Sequence, residues 1–99
     1  MMQFDEDTQV LTVTPSGELD HFLAESMRNA IDAMILKNNA RLLVFDMEDV
    51  GFMDSSGIGL VMGRYKLMQE LGGTVRLTQL SASIRRVMQV AGMDKLAKF

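Results

Sequence analysis

The run Leu42-Leu43-Val44-Phe45 constrains this chain more than any other feature. Four consecutive apolar residues without polar alternation suit a short central strand covered on both faces. The segments on either side have a different period. From Phe22 to Lys37, the residues Leu23, Met27, Ala30, Ile31 and Met34 recur at spacings of three and four, which is the apolar stripe of an amphipathic helix. A second helix is expected from about Ser56 to Leu71, ending at Gly72-Gly73. Strands that alternate with helices need crossovers, so the sheet has parallel neighbours and helices cover it.

The remaining segments complete that plan. Met2 to Phe4 and Gln9 to Thr14 read as strands around the polar turn Asp5-Glu6-Asp7-Thr8. Pro15-Ser16-Gly17 is a turn signal, because proline fixes φ and glycine tolerates positive φ. Asp20, after Gly17-Glu18-Leu19, is placed to cap the first helix, and Asn38-Asn39 ends it. Met47 to Asp54 is expected to be a loop. Thr74 to Gln79 reads as a strand with Val75 and Leu77 on one face. Ser81 or Ser83 then opens a third helix, with Ile84, Val87, Met88 and Ala91 as its stripe and Gly92 as its end. Lys95 to Phe99 is expected to form a short strand. The fold class is α/β: one domain over residues 1–99, with a mixed β-sheet covered by α-helices.

Composition narrows the chemistry. A chain of 99 residues is one ordinary domain, and a hydrophobic fraction of 47% is ample for its core. A net charge of -3 disfavours generic binding to nucleic acid or an anionic membrane. No apolar run approaches the roughly 20 residues that span a bilayer, and the acidic start is unlike a signal peptide, so a cytoplasmic protein is expected. With no cysteine and His21 as the only histidine, disulfides, thiolate sites and histidine-rich metal sites are excluded. The ten methionines read first as fillers of irregular core gaps, and second as an adaptable partner surface.

The informative stretch runs from Phe52-Met53-Asp54-Ser55-Ser56-Gly57 to Tyr65. It places two hydroxyls where a loop meets a helix. Amides of a first helical turn lack intrahelical partners, and the helix dipole favours negative charge there. A phosphate on Ser55 or Ser56 would find donors ready, and would add about 1.5 to 2 negative charges beside Asp54. Taken alone, the same residues are ordinary caps worth about 1 kcal/mol each. Gly57, Gly59 and Gly63 fit that simple reading less well, since each costs a helix about 1 kcal/mol relative to alanine. The helix is also apolar on two sides. Ile58, Val61, Met62 and Tyr65 form one stripe and Leu60, Leu67 and Leu71 another, so one is expected on the sheet and the other is available to a partner.

These residues bring the chain to a known family. Gly17-Glu18-Leu19-Asp20-His21, Phe52-Met53-Asp54-Ser55-Ser56-Gly57 and Gly63-Arg64-Tyr65-Lys66 resemble the anti-anti-sigma factors of bacterial sporulation and stress pathways. Those proteins belong to the STAS superfamily, shared with cytoplasmic domains of sulfate transporters. The resemblance implies a partner-switching cycle. The unphosphorylated protein binds an anti-sigma factor, releasing a sigma factor. That anti-sigma factor is also an ATP-dependent serine kinase that phosphorylates its antagonist, and a PP2C-type phosphatase reverses the step. The family phosphoacceptor follows the motif aspartate, which places it on Ser55 with Ser56 as its neighbouring rival. Asp20, His21, Asp54, Ser55, Ser56, Gly57, Ile58 and Gly59 are the expected docking residues, with no catalytic role and no cofactor or metal. Family members usually continue past the equivalent of Phe99 into a further helix. The sequence stops at Phe99, so the family's C-terminal helix is expected to be lacking, which would expose apolar surface near that end. A monomer or weak dimer is expected.

Other classes fit less well. A serine hydrolase needs a base, and His21 beside Asp20 at a helix start suits a solvated or capping role. The glycines match neither a Walker loop nor a Rossmann turn. Arg85-Arg86 with Lys95 and Lys98 is a small basic group with little aromatic interleaving, so direct nucleic-acid binding is not expected. Asp5, Glu6, Asp7, Glu48 and Asp49 read as solvated turn residues and not as a cation site, although Glu48-Asp49 could help dock a basic kinase surface. The alternative that keeps the fold is a scaffold or transport-complex subunit with another protein partner.

Overall fold

Three side chains start the three helices of the computed structural model, which describes residues 1–97. Asp20 Oδ1 accepts from the Leu23 amide at 3.1 Å and opens α1 (His21–Asn38). Asp54 Oδ1 accepts from the Ser56 amide at 2.8 Å and opens α2 (Ser55–Glu70). Ser81 Oγ accepts from the Ile84 amide at 3.2 Å and opens α3 (Ala82–Val90). Each cap satisfies a first-turn amide that the helix itself leaves unpaired. Helix α1 ends on Asn39, whose left-handed φ of 52° lets its amide donate back to the Ile35 carbonyl. Asparagine tolerates that conformation at modest cost.

The strands are β1 (Met2–Asp5), β2 (Val10–Val13), β3 (Gly17–Leu19), β4 (Leu42–Asp46), β5 (Val50–Met53) and β6 (Thr74–Thr78). One mixed sheet has the order β1-β2-β4-β6, with an antiparallel β1-β2 hairpin and β4 parallel to both β2 and β6. A second, two-stranded sheet pairs β3 with β5 in parallel. The expected α/β plan with a mixed sheet and three helices is therefore the observed one. A 3-10 turn over Met93–Lys95 follows α3.

The core lies between the sheet and helices α1 and α2. Leu11, Val13, Leu43, Phe45, Val75 and Leu77 are buried on one sheet face against Ile31, Ile35, Leu60, Val61 and Met68. Met47, Met53, Met68, Met88 and Met93 are buried too, and only Met1 of the ten methionines is exposed. The thioethers thus fill core space.

Several expectations need correction. Strand β4 is central, as expected, but only one face is fully covered: Leu43 and Phe45 are inaccessible, while Leu42 and Val44 are half-buried. Met47 to Asp54 is not all loop, because Val50–Met53 forms β5, and Gly17–Leu19 forms β3 beyond the turn. Both strands are short, and neither alternates cleanly. Their pairing with each other, helped by the Gly17 amide donating to the Asp49 carbonyl at 2.9 Å, overrides weak local signals.

The seam of α2 draws on both expected stripes: Gly57, Leu60, Val61, Arg64 and Met68 are buried, while Leu71 is half exposed. The seam of α1 is rotated similarly onto Ala24, Ile31 and Ile35, leaving Ala30 exposed. On α3, Ile84 and Met88 are buried while Val87 and Ala91 are exposed. Of the expected strand at Lys95–Phe99, Lys95 ends the 3-10 turn, and residues 98–99 lie outside the described ones.

Candidate functional site

The β3-β5 pair sets the geometry of the site. Leu19 and Met53 are paired in register, so the next residues, Asp20 and Asp54, leave the two strands side by side. The Asp54 amide reaches the Leu19 carbonyl at 3.5 Å. Each aspartate caps a helix, and α1 and α2 therefore begin next to each other at the carboxyl ends of parallel strands. In α/β proteins that edge is where functional groups gather. Two helix N-termini also concentrate partial positive charge there.

Ser55 is the first residue of α2 and is exposed. Ser56 is half-buried and faces an open groove of about 470 Å³ between the helices. His21, Ala24, Glu25 and Arg28 line the groove from α1, and Ser56, Gly59 and Leu60 line it from α2. His21 is exposed, with Nε2 3.0 Å from Glu25 Oε2 and its ring edge-on to Phe22 at 6.0 Å. Phe22 is 82% exposed and Phe52, three residues before Ser55, is 50% exposed. Large aromatic rings left in water around polar groups are a common composition for a protein-docking surface.

The expected site residues divide into two groups. Asp20, His21, Asp54, Ser55, Ser56 and Gly59 share this end of the domain. Gly57 is buried, and a side chain there would run into Met53 and stand 2.9 Å from the Leu19 carbonyl oxygen. Its glycine is required so that α2 can start against β3. Ile58 is half-buried and packs on the core. Glu25 and Arg28 were not anticipated from the sequence. The signal was present in the spacing of His21, Glu25 and Arg28, which puts them on one face of α1.

Below the groove, Arg64 is buried between the helices with Nε 2.8 Å from Asp32 Oδ1. The N–H is not aimed at that oxygen, so the contact is ionic and not an aligned hydrogen bond, and Nη1 is buried without a partner among the described residues. Burial lowers the Arg64 pKa from its usual value, the Asp32 carboxylate opposes this, and Arg28 adds to the lowering. Arginine nevertheless stays charged at any working pH. Among the described residues, no helix is long and apolar enough to cross a membrane.

A small α/β domain with a mixed sheet and paired helix starts after its β3 and β5 strands is the fold of a STAS domain. The family model described as the STAS domain matches residues 1–99, and the chain belongs to that family. An anti-sigma F factor antagonist from Paenibacillus polymyxa is 32% identical over 95 residues, which cover 96% of this chain and 81% of that protein. The structure of the anti-sigma factor antagonist SpoIIAA in its unphosphorylated form is similar with a TM-score of 0.84 at 31% identity, covering 98% of this chain and 85% of that one. The Bacillus cell fate determinant SpoIIAA in its phosphorylated form gives a TM-score of 0.76 at 30% identity, covering 98% and 88%.

Proposed function

We propose that this chain is an anti-sigma factor antagonist whose partner binding is switched off by phosphorylation of Ser55. The observation that carries this reading is the exposed Ser55 at the first position of α2, directly after the capping Asp54, at the end of the domain where Asp20 starts α1. A serine there is accessible to a kinase. A phosphate on it would add about 1.5 to 2 negative charges next to Asp54 and Asp20. That changes the charge of the docking surface without disturbing the core beneath it. Likeness to an anti-sigma F factor antagonist, and to SpoIIAA structures in both phosphorylation states, supports the same reading.

In this reading the unphosphorylated chain binds an anti-sigma factor that is also a serine kinase, in its ATP- or ADP-bound form. A sigma factor is thereby released. Phosphoryl transfer to Ser55 then dissociates the complex, and a PP2C-type phosphatase restores the starting state. The chain itself is a substrate and a ligand, with the chemistry supplied by its partners.

The test is incubation with an anti-sigma kinase and Mg-ATP, followed by intact mass and peptide mapping, with ADP in a parallel binding experiment. One phosphate on Ser55, and a complex in ADP, is the expected outcome. Absence of both across several kinases of this type would refute the function. Ser56 is the rival acceptor because its side lines the groove that also holds Arg28. Phosphorylation that survives Ser55→Ala and is lost in Ser56→Ala would move the switch by one residue.

A further inference from the structure

The contact between Asp32 and Arg64 sets the register of α1 against α2. One turn back toward the helix starts stand Arg28 and Leu60, and a further turn back Ala24 and Ser56; all four line the groove. Helical side chains lean toward their own N-terminus, which brings the Arg28 guanidinium back toward the level of Ser56. Gly59, also in the lining, puts no side chain between them. Arg28 is exposed and makes no ion pair or hydrogen bond among the described residues. Its charge is nevertheless felt at the seam, where it helps to lower the Arg64 pKa. His21, the other basic residue of the lining, is 3.0 Å from Glu25, so Arg28 is the uncommitted cation of the groove. The two serines stand differently toward it. Ser56 lines the groove, and its amide is already taken by Asp54 Oδ1. Ser55 is exposed, outside that lining and about 100° around the helix.

We propose that Arg28 takes up a phosphate placed on Ser56 and leaves one on Ser55 free, so that of the two hydroxyls only Ser55 can switch binding; this rests on the function proposed above. A phosphoserine dianion opposite an unpaired guanidinium forms charge-assisted hydrogen bonds, and arginine meets phosphate with two parallel N–H donors. A phosphate on Ser56 therefore bridges α2 to α1, and part of its charge is cancelled within the chain. Glu25 in the same lining opposes this, and water screens it, so the pairing is modest. A phosphate on Ser55 has the Asp54 carboxylate beside it and lies outward of the groove, so its charge stays on the docking surface. One residue thus separates a charge that repels a partner from one that the chain absorbs.

The test needs no kinase. Phosphoserine is incorporated in place of Ser55 or Ser56 during synthesis of the full chain, and the second ionisation of each phosphate, ordinarily near about pH 6, is followed by 31P NMR. The phosphate at position 56 should titrate about half a pH unit or more below the one at position 55. Arg28→Gln should move the phosphate at position 56 up by about that amount and leave the one at position 55 in place, while Arg28→Lys should keep part of the difference. A phosphate at position 56 that is indifferent to Arg28→Gln would overturn the proposal, as would an equal response at both positions. If the chain with phosphoserine at 56 does not fold, Ser56→Asp and Arg28→Gln are combined in a double-mutant cycle of thermal unfolding. A coupling no larger than that of Ser55→Asp with Arg28→Gln would overturn it too. A chain that no anti-sigma kinase binds or phosphorylates fails the proposed function instead, by a separate measurement.

Discussion

Helices α1 and α2 start in the same way and present opposite surfaces. Both follow a short parallel strand, both are capped by an aspartate, and the caps lie side by side. The start of α1 then carries His21 and Phe22, two large exposed rings. The start of α2 carries Ser55, Ser56, Gly57 and Gly59, and its one bulky residue, Ile58, packs on the core. Capping alone asks for neither arrangement. Part of the smallness of α2 is internal, since Gly57 has Met53 and the Leu19 carbonyl against it. The rest is not, because a side chain at Gly59 would meet nothing within 4 Å. One helix start is built to protrude and the other is kept clear.

Substitutions at the clear end should separate the internal requirement from the external one. The largest effect is expected from Gly57→Val, which forces branched bulk against backbone and should cost about 1–3 kcal/mol or more. In a domain of this size that lowers the midpoint of thermal unfolding by roughly 4–8 °C per kcal/mol, readable by calorimetry. Ser55→Asp should leave that midpoint nearly unchanged and weaken binding to an anti-sigma kinase at least about tenfold, or about 1.4 kcal/mol, in a titration. Ser55→Ala should bind as the parent does and accept no phosphate. Asp54→Ala should cost about 1 kcal/mol of stability through loss of the cap, and Asp20→Ala about the same, if the two starts are alike internally. The smallest effect has the opposite sign: Gly59→Ala should stabilise the chain by about 0.4–1 kcal/mol, because helical glycine is entropically costly and nothing crowds the site. If Gly59→Ala also weakens partner binding, the gap on α2 is reserved for the partner.

How much of this was legible in the sequence depended on how local each signal was. Asp20, Asp54 and Ser81 are caps in the sequence and in the structure, because a cap is a contact between residues two or three apart. The Leu42–Phe45 run marked the central strand for the same reason. Strands β3 and β5 could not be seen, since Gly17–Leu19 and Val50–Met53 are extended only by virtue of each other. The apolar spacing on α2 suggested two stripes, but the seam that packs, with Arg64 inside it, is fixed by where β6 and α1 lie. Asp20 and Ser55 could be proposed as site residues from their motifs alone, whereas the groove between α1 and α2 needed the strand pairing that brings two distant helix starts together.

The buried Arg64–Asp32 contact gives the pair of helices a single permitted alignment. Apolar side chains alone would let α2 slide along α1 at modest cost. A slip of one helical turn, about 5.4 Å, would instead take the buried Arg64 guanidinium away from the half-buried Asp32 carboxylate. Leaving the buried guanidinium without its counter-charge costs about 1–3 kcal/mol, a sizeable share of what holds a domain this small together. The contact therefore works as a latch against sliding, acting about two and a half helical turns along α2 from Ser55.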